Sequence, residues 1–197
     1  MPKSVDIQKK RIILAQSATT LFLDKGYSKL TVSEVAQNAG IAKGSIYKYF
    51  DSKEDIVFAI IQLAQDKYDK EVLLSISNAK TIENKILALF DLCISNSNDG
   101  IKRRRLYKEF ISICLDKPSN KMIEFLYKIK SKYITWLKAI LQEGINNNIL
   151  KDDAIKFANS LYVMGEGVLL FSSLDEYNNI NLLQEHISLL LTALEKN

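Results

Sequence analysis

Helix-breaking residues are scarce in this chain, and their scarcity constrains the fold more than any other feature. Only two prolines and seven glycines occur in 197 residues. Apolar residues recur at three- and four-residue spacing, whereas no run rich in Val, Ile or Thr keeps the period of two that is typical of strands. The sequence therefore predicts an all-α protein of about nine helices, separated by short Asn-, Gly- or Pro-containing segments.

Length and composition predict a globular protein of one or two domains. Hydrophobic residues make up 47% of the chain, which is enough to build a core. No stretch comes close to the roughly eighteen uninterrupted apolar residues of a membrane span, and the first residues lack the apolar centre of a secretory signal. We expect a cytoplasmic protein that has no membrane partner.

The residues that usually carry enzyme chemistry are nearly missing from the sequence. A lone histidine, His186, cannot build a histidine-based metal site or a Ser-His-Asp relay. Cys93 and Cys114 lie within apolar helical patterns, where an unpaired thiol usually behaves as a small hydrophobic group. We therefore expect neither an enzyme, nor a bound metal, nor a cofactor.

The positive charge of the chain is concentrated at its amino-terminal end. Residues 1 to 53 carry nine Lys or Arg against four Asp or Glu, a net charge of +5, although the whole chain carries only +4. A local basic surface attracts a polyanion such as nucleic acid, although charge runs are more often simply solvated.

The same basic region contains two short helices with well-defined ends. Thr31 and Glu34 form the Thr-x-x-Glu pattern of a capping box, which predicts that a helix begins there. Gly40 can adopt the left-handed conformation that ends this helix. Helical character resumes from Lys43 to Phe50, and Ser52 can cap a longer helix after it.

The spacing of three residues in this region is typical of a helix-turn-helix. Such a unit needs a small residue where its helices cross, a glycine at the turn and an aliphatic residue that fixes the second helix, and Ala36, Gly40 and Ile46 have these properties. The alternative is a tight helical hairpin in a core. We favour DNA binding because Gly44 keeps the start of the second helix free of bulk and Lys43 and Lys48 flank it.

This region resembles the TetR-type (TetR/AcrR) bacterial regulators, over roughly the first quarter of the chain. The resemblance is carried by Gly26-Tyr27, Thr31-Val32, Val35-Ala36, Ala39-Gly40-Ile41, Lys43-Gly44-Ser45-Ile46-Tyr47-Lys48-Tyr49-Phe50 and Ser52-Lys53-Glu54-Asp55-Ile56. It implies a nine-helix fold, a homodimer built from the last two long helices, and a ligand cavity in the carboxyl-terminal domain. When the DNA-contacting positions of that family are matched to this sequence by position and by residue chemistry, the candidates that face DNA are Thr31, Ser33, Lys43, Gly44, Ser45, Tyr47, Lys48, Tyr49 and Lys53.

The last two long helices that the sequence predicts have more apolar surface than one neighbouring helix would cover. They could form an isologous four-helix dimer interface, or they could belong to an ordinary core within the chain. The predicted interface residues are Phe157, Leu161, Val168, Leu183, Ile187, Leu190 and Leu194.

Aromatic and other apolar residues from several of the later helices could line one ligand cavity, although most such residues are plain core. Glu109 or Glu166 could anchor a polar group of the ligand. The predicted lining consists of Phe90, Cys93, Tyr107, Phe110, Cys114, Tyr133, Trp136, Met164 and Glu166.

Together these patterns predict a DNA-binding domain over residues 1–53 and a helical ligand-binding and dimerisation domain over residues 54–197. The predicted function is that of a repressor that binds a palindromic DNA operator as a homodimer and is released by a hydrophobic small-molecule effector. The alternative is a dimeric helical module that binds a small molecule or lipid and does not bind DNA.

Overall fold

The computed structural model describes residues 4–171 and 179–196 and confirms the all-α fold. Within these residues it has ten α-helices, a short 3-10 helix at Ala154–Phe157 and one isolated antiparallel bridge between Leu150 and Glu195. The α-helices are α1 Ser4–Lys29, α2 Val32–Asn38, α3 Lys43–Ile46, α4 Lys53–Asn78, α5 Ile82–Leu89, α6 Asp91–Ile94, α7 Asn98–Asp116, α8 Asn120–Asn146, α9 Ala158–Phe171 and α10 Asn179–Leu194.

The helix count differs from the predicted nine mainly because of Phe90. The pattern from residue 81 to residue 97 predicts one helix, but the Phe90 backbone leaves the helical region, with φ −95° and ψ 12°, and separates α5 from α6. The Phe90 ring is buried and lies against Gly165 of α9. Because this packing involves a distant residue, local periodicity could not reveal the break.

The chain divides into two compact units, and the division differs from the predicted domain boundary. Unit 1 consists of residues 1–68 and 105–122, and unit 2 of residues 69–104 and 123–197. The predicted boundary after Lys53 falls at the first residue of α4, and the first part of that helix buries Ile56, Val57 and Ile60 within unit 1. Unit 1 also includes most of α7, which the sequence pattern assigned to the second domain.

The core of unit 1 is apolar and brings the helix-turn-helix together with α4 and α7. Phe58 of α4 and Phe110 of α7 stack with their ring centroids 6.0 Å apart. Val35, Ile46 and Phe50 are almost completely buried. This confirms the predicted role of Ile46, which together with Phe50 fixes the second helix of the motif to the rest of the unit.

The core of unit 2 is built from α5, α8, α9 and α10. An ion pair between Lys85 and Glu143, 2.5 Å apart, adds a polar contact between α5 and α8 at the edge of this core. Its fully buried side chains include Ile86, Leu89, Leu137 and Leu141.

One stretch, Ala154–Phe171, is long and apolar enough to cross a membrane by length and composition. Lys156 and Glu166 lie within it, and charged side chains are costly in lipid. Leu161 and Gly165 are buried in unit 2. One face of this stretch is therefore packed within unit 2.

Candidate nucleic-acid interface

The capping box at the start of α2 is present in the structure. The Thr31 hydroxyl accepts a hydrogen bond from the Glu34 backbone N–H at 3.2 Å, and the Glu34 carboxylate accepts one from the Thr31 N–H at 3.0 Å. Lys25 also donates to Glu34 at 2.6 Å, and these bonds together lower the pKa of Glu34 to about 2. The start of the supporting helix is therefore fixed by local polar contacts, as the sequence predicted.

The turn between the two helices of the motif depends on Gly40. Its φ of +65° lies in the left-handed region, which glycine adopts without steric cost. The following residue, Ile41, donates its backbone N–H to the Ala36 carbonyl at 3.0 Å and so closes the turn. The predicted helix-turn-helix geometry is therefore formed.

The second helix of the motif is shorter than its sequence pattern predicts. Only α3, four residues long, is regular α-helix, and residues 47–49 continue as turns. The backbone bonds Lys48 N to Ser45 O and Tyr49 N to Ile46 O close three-residue steps, which are tighter than α-helical ones. We refer to residues 43–50 as the recognition segment.

The predicted DNA-facing residues lie on the accessible side of this segment and of α2. Tyr47 is 53% exposed even though it is an aromatic side chain. The exposed members of the set are Thr31, Ser33, Lys43, Gly44, Tyr47 and Lys48, and the half-buried members are Ser45, Tyr49 and Lys53.

Gly44 has no role in packing within the chain. A Cβ atom added at this position would have no heavy atom within 4 Å, and its φ is not in the left-handed region. The fold therefore does not require glycine here, whereas close approach of an external partner would favour it.

Several cations of the basic amino-terminal region have partners within the protein. Arg11 binds the Asp55 carboxylate with two hydrogen bonds, of 3.0 and 2.9 Å, and also donates to the Tyr49 carbonyl. Its guanidinium lies 4.6 Å from the centre of the Phe50 ring. Arg11 thus joins α1, the end of the recognition segment and the first turn of α4. The charge count alone could not identify this role.

The first turn of α4 contains the second predicted cap. The Ser52 hydroxyl accepts a hydrogen bond from the Asp55 N–H at 3.2 Å, and the Asp55 carboxylate accepts one from the Asp51 N–H at 3.0 Å. Asp55 is partly buried, yet its pKa lies below its usual value because the hydrogen bonds and positive charge of Arg11 and the Asp51 N–H outweigh desolvation. The carboxylate is therefore charged and fully bonded.

The predicted ligand-lining residues are divided between the two units. Within unit 2, the Cys93 thiol donates to the Gly165 carbonyl at 3.3 Å, and burial raises its pKa. The rings of Tyr133 and Trp136 lie 5.1 Å apart. The members in unit 1 are Tyr107, Phe110 and Cys114, and those in unit 2 are Phe90, Cys93, Tyr133, Trp136, Met164 and Glu166.

Two cavities of ligand size are lined by other residues. One, of about 600 Å³, lies in unit 1 between the first turn of α4 and the α7–α8 turn, and its lining includes Phe58 and Met122. The other, of about 310 Å³, lies in unit 2 beside Glu143 and Leu191. The grouping of predicted lining residues into one cavity therefore stays a prediction.

The predicted dimer surface needs correction. Leu161, Leu183, Ile187 and Leu194 are buried within unit 2 and so belong to the core of a single chain. Periodicity identified an apolar face on α9 and α10 but could not show that the chain covers this face itself. The apolar side chains of these helices that are exposed are Val163, Leu170, Phe171, Leu182 and Leu189, and the half-buried residues of the predicted set are Phe157, Val168 and Leu190.

Comparisons with known proteins agree with this geometry. The family profile described as "Bacterial regulatory proteins, tetR family" matches residues 14–60. The transcriptional regulator HbdR of Aromatoleum sp. (strain CIB) is 38% identical over 71 residues, which are 36% of this chain and 30% of that protein. The repressor KstR2 of Rhodococcus jostii is 25% identical over 148 residues, 73% of this chain and 69% of that protein.

A solved structure extends the likeness to the whole chain at the level of the fold. The crystal structure of a TetR-family transcriptional regulator from Cytophaga hutchinsonii has a TM-score of 0.78 and 17% identity, and the match covers 100% of both chains. Together with the capped helix-turn-helix, these similarities show that residues 14–60 are similar to the TetR family of bacterial regulatory proteins and that the chain shares the fold of a solved member.

Proposed function

We propose that this chain is a cytoplasmic transcriptional repressor that binds a palindromic DNA operator as a homodimer and is released by a hydrophobic small-molecule effector. The observation that carries the proposal is the recognition segment, whose outer side presents Lys43, Tyr47 and Lys48 to solvent while Ile46 and Phe50 fix it to the core. The family similarity supports the same function.

The residues of the proposed DNA surface divide by chemistry into base contacts and backbone contacts, and Lys53 belongs to the phosphate contacts. Lys43 and Ser45 lie at the start of the recognition segment and can hydrogen-bond to base edges in the major groove. Tyr47 and Tyr49 can contact phosphates or thymine methyl groups. Thr31, at the start of α2, can donate to a phosphate once its hydroxyl releases the Glu34 carboxylate, to which it donates at 2.8 Å. Gly44 allows the backbone to approach the DNA closely.

Dimerisation uses the part of α9 and α10 that the chain does not bury itself. The exposed side chains Val163, Leu170, Phe171, Leu182 and Leu189 give these two helices an apolar surface suited to an isologous contact. Two copies then present two recognition segments, and successive major grooves on one side of DNA are about 34 Å apart.

Effector release acts through α4. This helix begins at Lys53, directly after the recognition segment, and continues without a break to Asn78, beyond the boundary between the units. A hydrophobic effector bound in unit 2 that favours another position of α4 would lower operator affinity, because a ligand shifts an equilibrium by its different affinity for the two states.

Selection of binding sites from random double-stranded DNA tests this proposal. The purified protein is expected to enrich a palindromic sequence and to bind it as two chains per site, with an affinity that falls steeply as salt increases. Hydrophobic compounds are then screened for loss of operator binding. No enrichment, together with tight binding of lipids or other apolar ligands, would instead support the alternative of a dimeric helical module that binds a small molecule or lipid and does not bind DNA.

A further inference from the structure

The break in α1 leaves one backbone donor that a distant side chain captures. Gly26 has φ +73° and ψ 173°, which interrupts the helix just before Tyr27. The Tyr27 N–H donates to the Glu109 carboxylate at 2.5 Å, although Glu109 lies 82 residues further along the chain, on α7. Both residues belong to unit 1. The end of α1 is therefore held by a side chain from outside the helix-turn-helix.

The glycine before Tyr27 is required by the same contact. A Cβ atom at Gly26 would lie 2.7 Å from the Glu109 Oε1 atom, so any other residue would displace the carboxylate. The positive φ adds a second reason for glycine at this position. Glu109 is also 3.8 Å from Arg105, one turn earlier on α7. The carboxylate is thus aimed at the break in α1 by its own helix.

Tyr27 in turn contacts the first two residues of α4. Its hydroxyl donates to the Glu54 carboxylate at 2.5 Å, and Lys117 lies 3.7 Å from the same carboxylate. The Lys53 ammonium lies 4.3 Å from the centre of the Tyr27 ring and 3.4 Å from the Ser28 carbonyl. The ring therefore provides a fixed surface for the lysine that follows the recognition segment.

Lys53 is one of the proposed phosphate contacts, and its orientation depends on this ring. A lysine side chain samples many rotamers, and it releases a counterion only where its ammonium lies beside a phosphate, so an arrangement that fixes the ammonium favours that contact. We propose that Glu109 is a positioning residue for operator binding, which acts by holding Tyr27 so that its ring orients Lys53 toward a DNA phosphate. This inference rests on the proposed function.

The expected direction of the change in operator affinity distinguishes this positioning role from charge repulsion alone. A carboxylate near a DNA-binding surface repels phosphates, so its removal alone would strengthen operator binding. The proposed positioning role predicts weaker binding instead. Glu124 on α8 is an exposed carboxylate in the described part of the chain, and Glu124→Ala therefore provides a control with the same change in net charge.

The test measures operator affinity at several salt concentrations for the full-length protein and its variants. Lys53→Gln is expected to make the slope of log K against log salt less negative by about 0.9, the value for one phosphate contact. Glu109→Ala is expected to reduce the slope by the same amount, and to cause no further loss in the Lys53→Gln background. Glu109→Gln is expected to retain the wild-type slope, because the amide oxygen still accepts the Tyr27 N–H.

Three outcomes would overturn the inference while leaving the proposed function intact. They are a wild-type slope in Lys53→Gln, a wild-type slope in Glu109→Ala, or an affinity increase in Glu109→Ala that equals that of Glu124→Ala. Failure of Glu109→Gln to restore the slope would also overturn it, even if Glu109→Ala proved poorly folded. If the wild-type protein binds no DNA, the proposed function itself fails, and the inference fails with it.

Discussion

The recognition segment of unit 1 and helix α9 of unit 2 each contain a glycine, and the surroundings of these two glycines differ. At Gly165 of α9, an added Cβ would lie 2.2 Å from the buried Phe90 ring of the same chain. At Gly44 an added Cβ would meet nothing within 4 Å. The first glycine therefore serves internal packing, whereas the second has open space beside it.

The difference extends to the contacts that hold the two regions. The end of the recognition segment is fixed by polar side chains, above all by Arg11 with its bonds to Asp55 and Tyr49. Helix α9 is fixed by apolar burial of residues such as Leu161 and Leu169. A surface that binds a polyanion can thus remain polar and exposed, because the buried Ile46 and Phe50 on its inner side and the contacts of Arg11 orient it together.

Among the polar contacts that hold the recognition segment, loss of those made by Arg11 should have the largest effect on the free energy of unfolding. Arg11→Ala removes a two-bond ion pair and leaves Asp55 partly buried without its cation, which should lower the free energy of unfolding by roughly 3 kcal/mol. Urea unfolding measures the change, and Lys9→Ala on the exposed surface of α1 is the control. Equal effects of the two substitutions would show that the ion pair does not hold the segment.

A larger residue at Gly165 tests the apolar packing that holds α9. Gly165→Ala places a methyl group into the Phe90 ring and should lower the free energy of unfolding by about 2 kcal/mol, a typical value for an overpacked core. Gly167→Ala, two residues later, meets nothing within 4 Å and is the matched control. A Gly165→Ala variant as stable as this control would contradict the proposed packing of α9.

The same substitution at Gly44 should have the opposite effect on stability. Gly44→Ala is expected to raise the free energy of unfolding by up to about 1 kcal/mol, because alanine favours helix and has space here. Operator affinity should nevertheless fall, since the methyl group lies on the proposed DNA surface. Paired unfolding and DNA-binding measurements check this opposition, and unchanged affinity in the variant would remove Gly44 from the interface.

The smallest expected effect is on how the free energy of unfolding depends on pH. The Tyr27 hydroxyl lowers the pKa of Glu54 to about 2, and burial together with Glu54 raises the pKa of Tyr27 to about 12. The contribution of Glu54 to stability is thus complete above about pH 4.5 and is lost as the pH falls toward 2, whereas that of Tyr27 is complete below about pH 10 and is lost as the pH rises toward 12.

Tyr27→Phe removes this hydrogen bond but keeps the ring, so stability should depend less on pH in both ranges. Unfolding measured from pH 2 to pH 12 checks the prediction. An unchanged acid limb would mean that Glu54 keeps its low pKa without the Tyr27 hydroxyl.

Local signals in the sequence were sufficient to predict the helix-turn-helix. The capping box of Thr31 and Glu34, the left-handed Gly40 and the Ser52 cap each depend on residues at most four positions apart. Such short-range hydrogen bonds and backbone preferences are encoded directly in the order of residues.

Most of the features that the sequence did not predict depend on distant contacts. The break at Phe90 reflects its packing on Gly165, and the positions of Arg11 and Glu109 depend on partners 44 and 82 residues away. Periodicity showed that α10 has an apolar face but not which neighbour covers it. The α-helix of the recognition segment also ends earlier than predicted, because residues 47–49 form turns, which a propensity for helix does not exclude.

In the proposed function, the recognition segment binds DNA and its outer side chains are not needed for folding. The most direct test compares operator binding by the wild-type protein and by a Lys43→Ala, Tyr47→Ala double variant, with unfolding measured in parallel. We predict that the variant loses operator binding while its unfolding free energy stays within about 0.5 kcal/mol of the wild-type value, as for typical surface substitutions. Wild-type operator affinity in a folded double variant would contradict the claim.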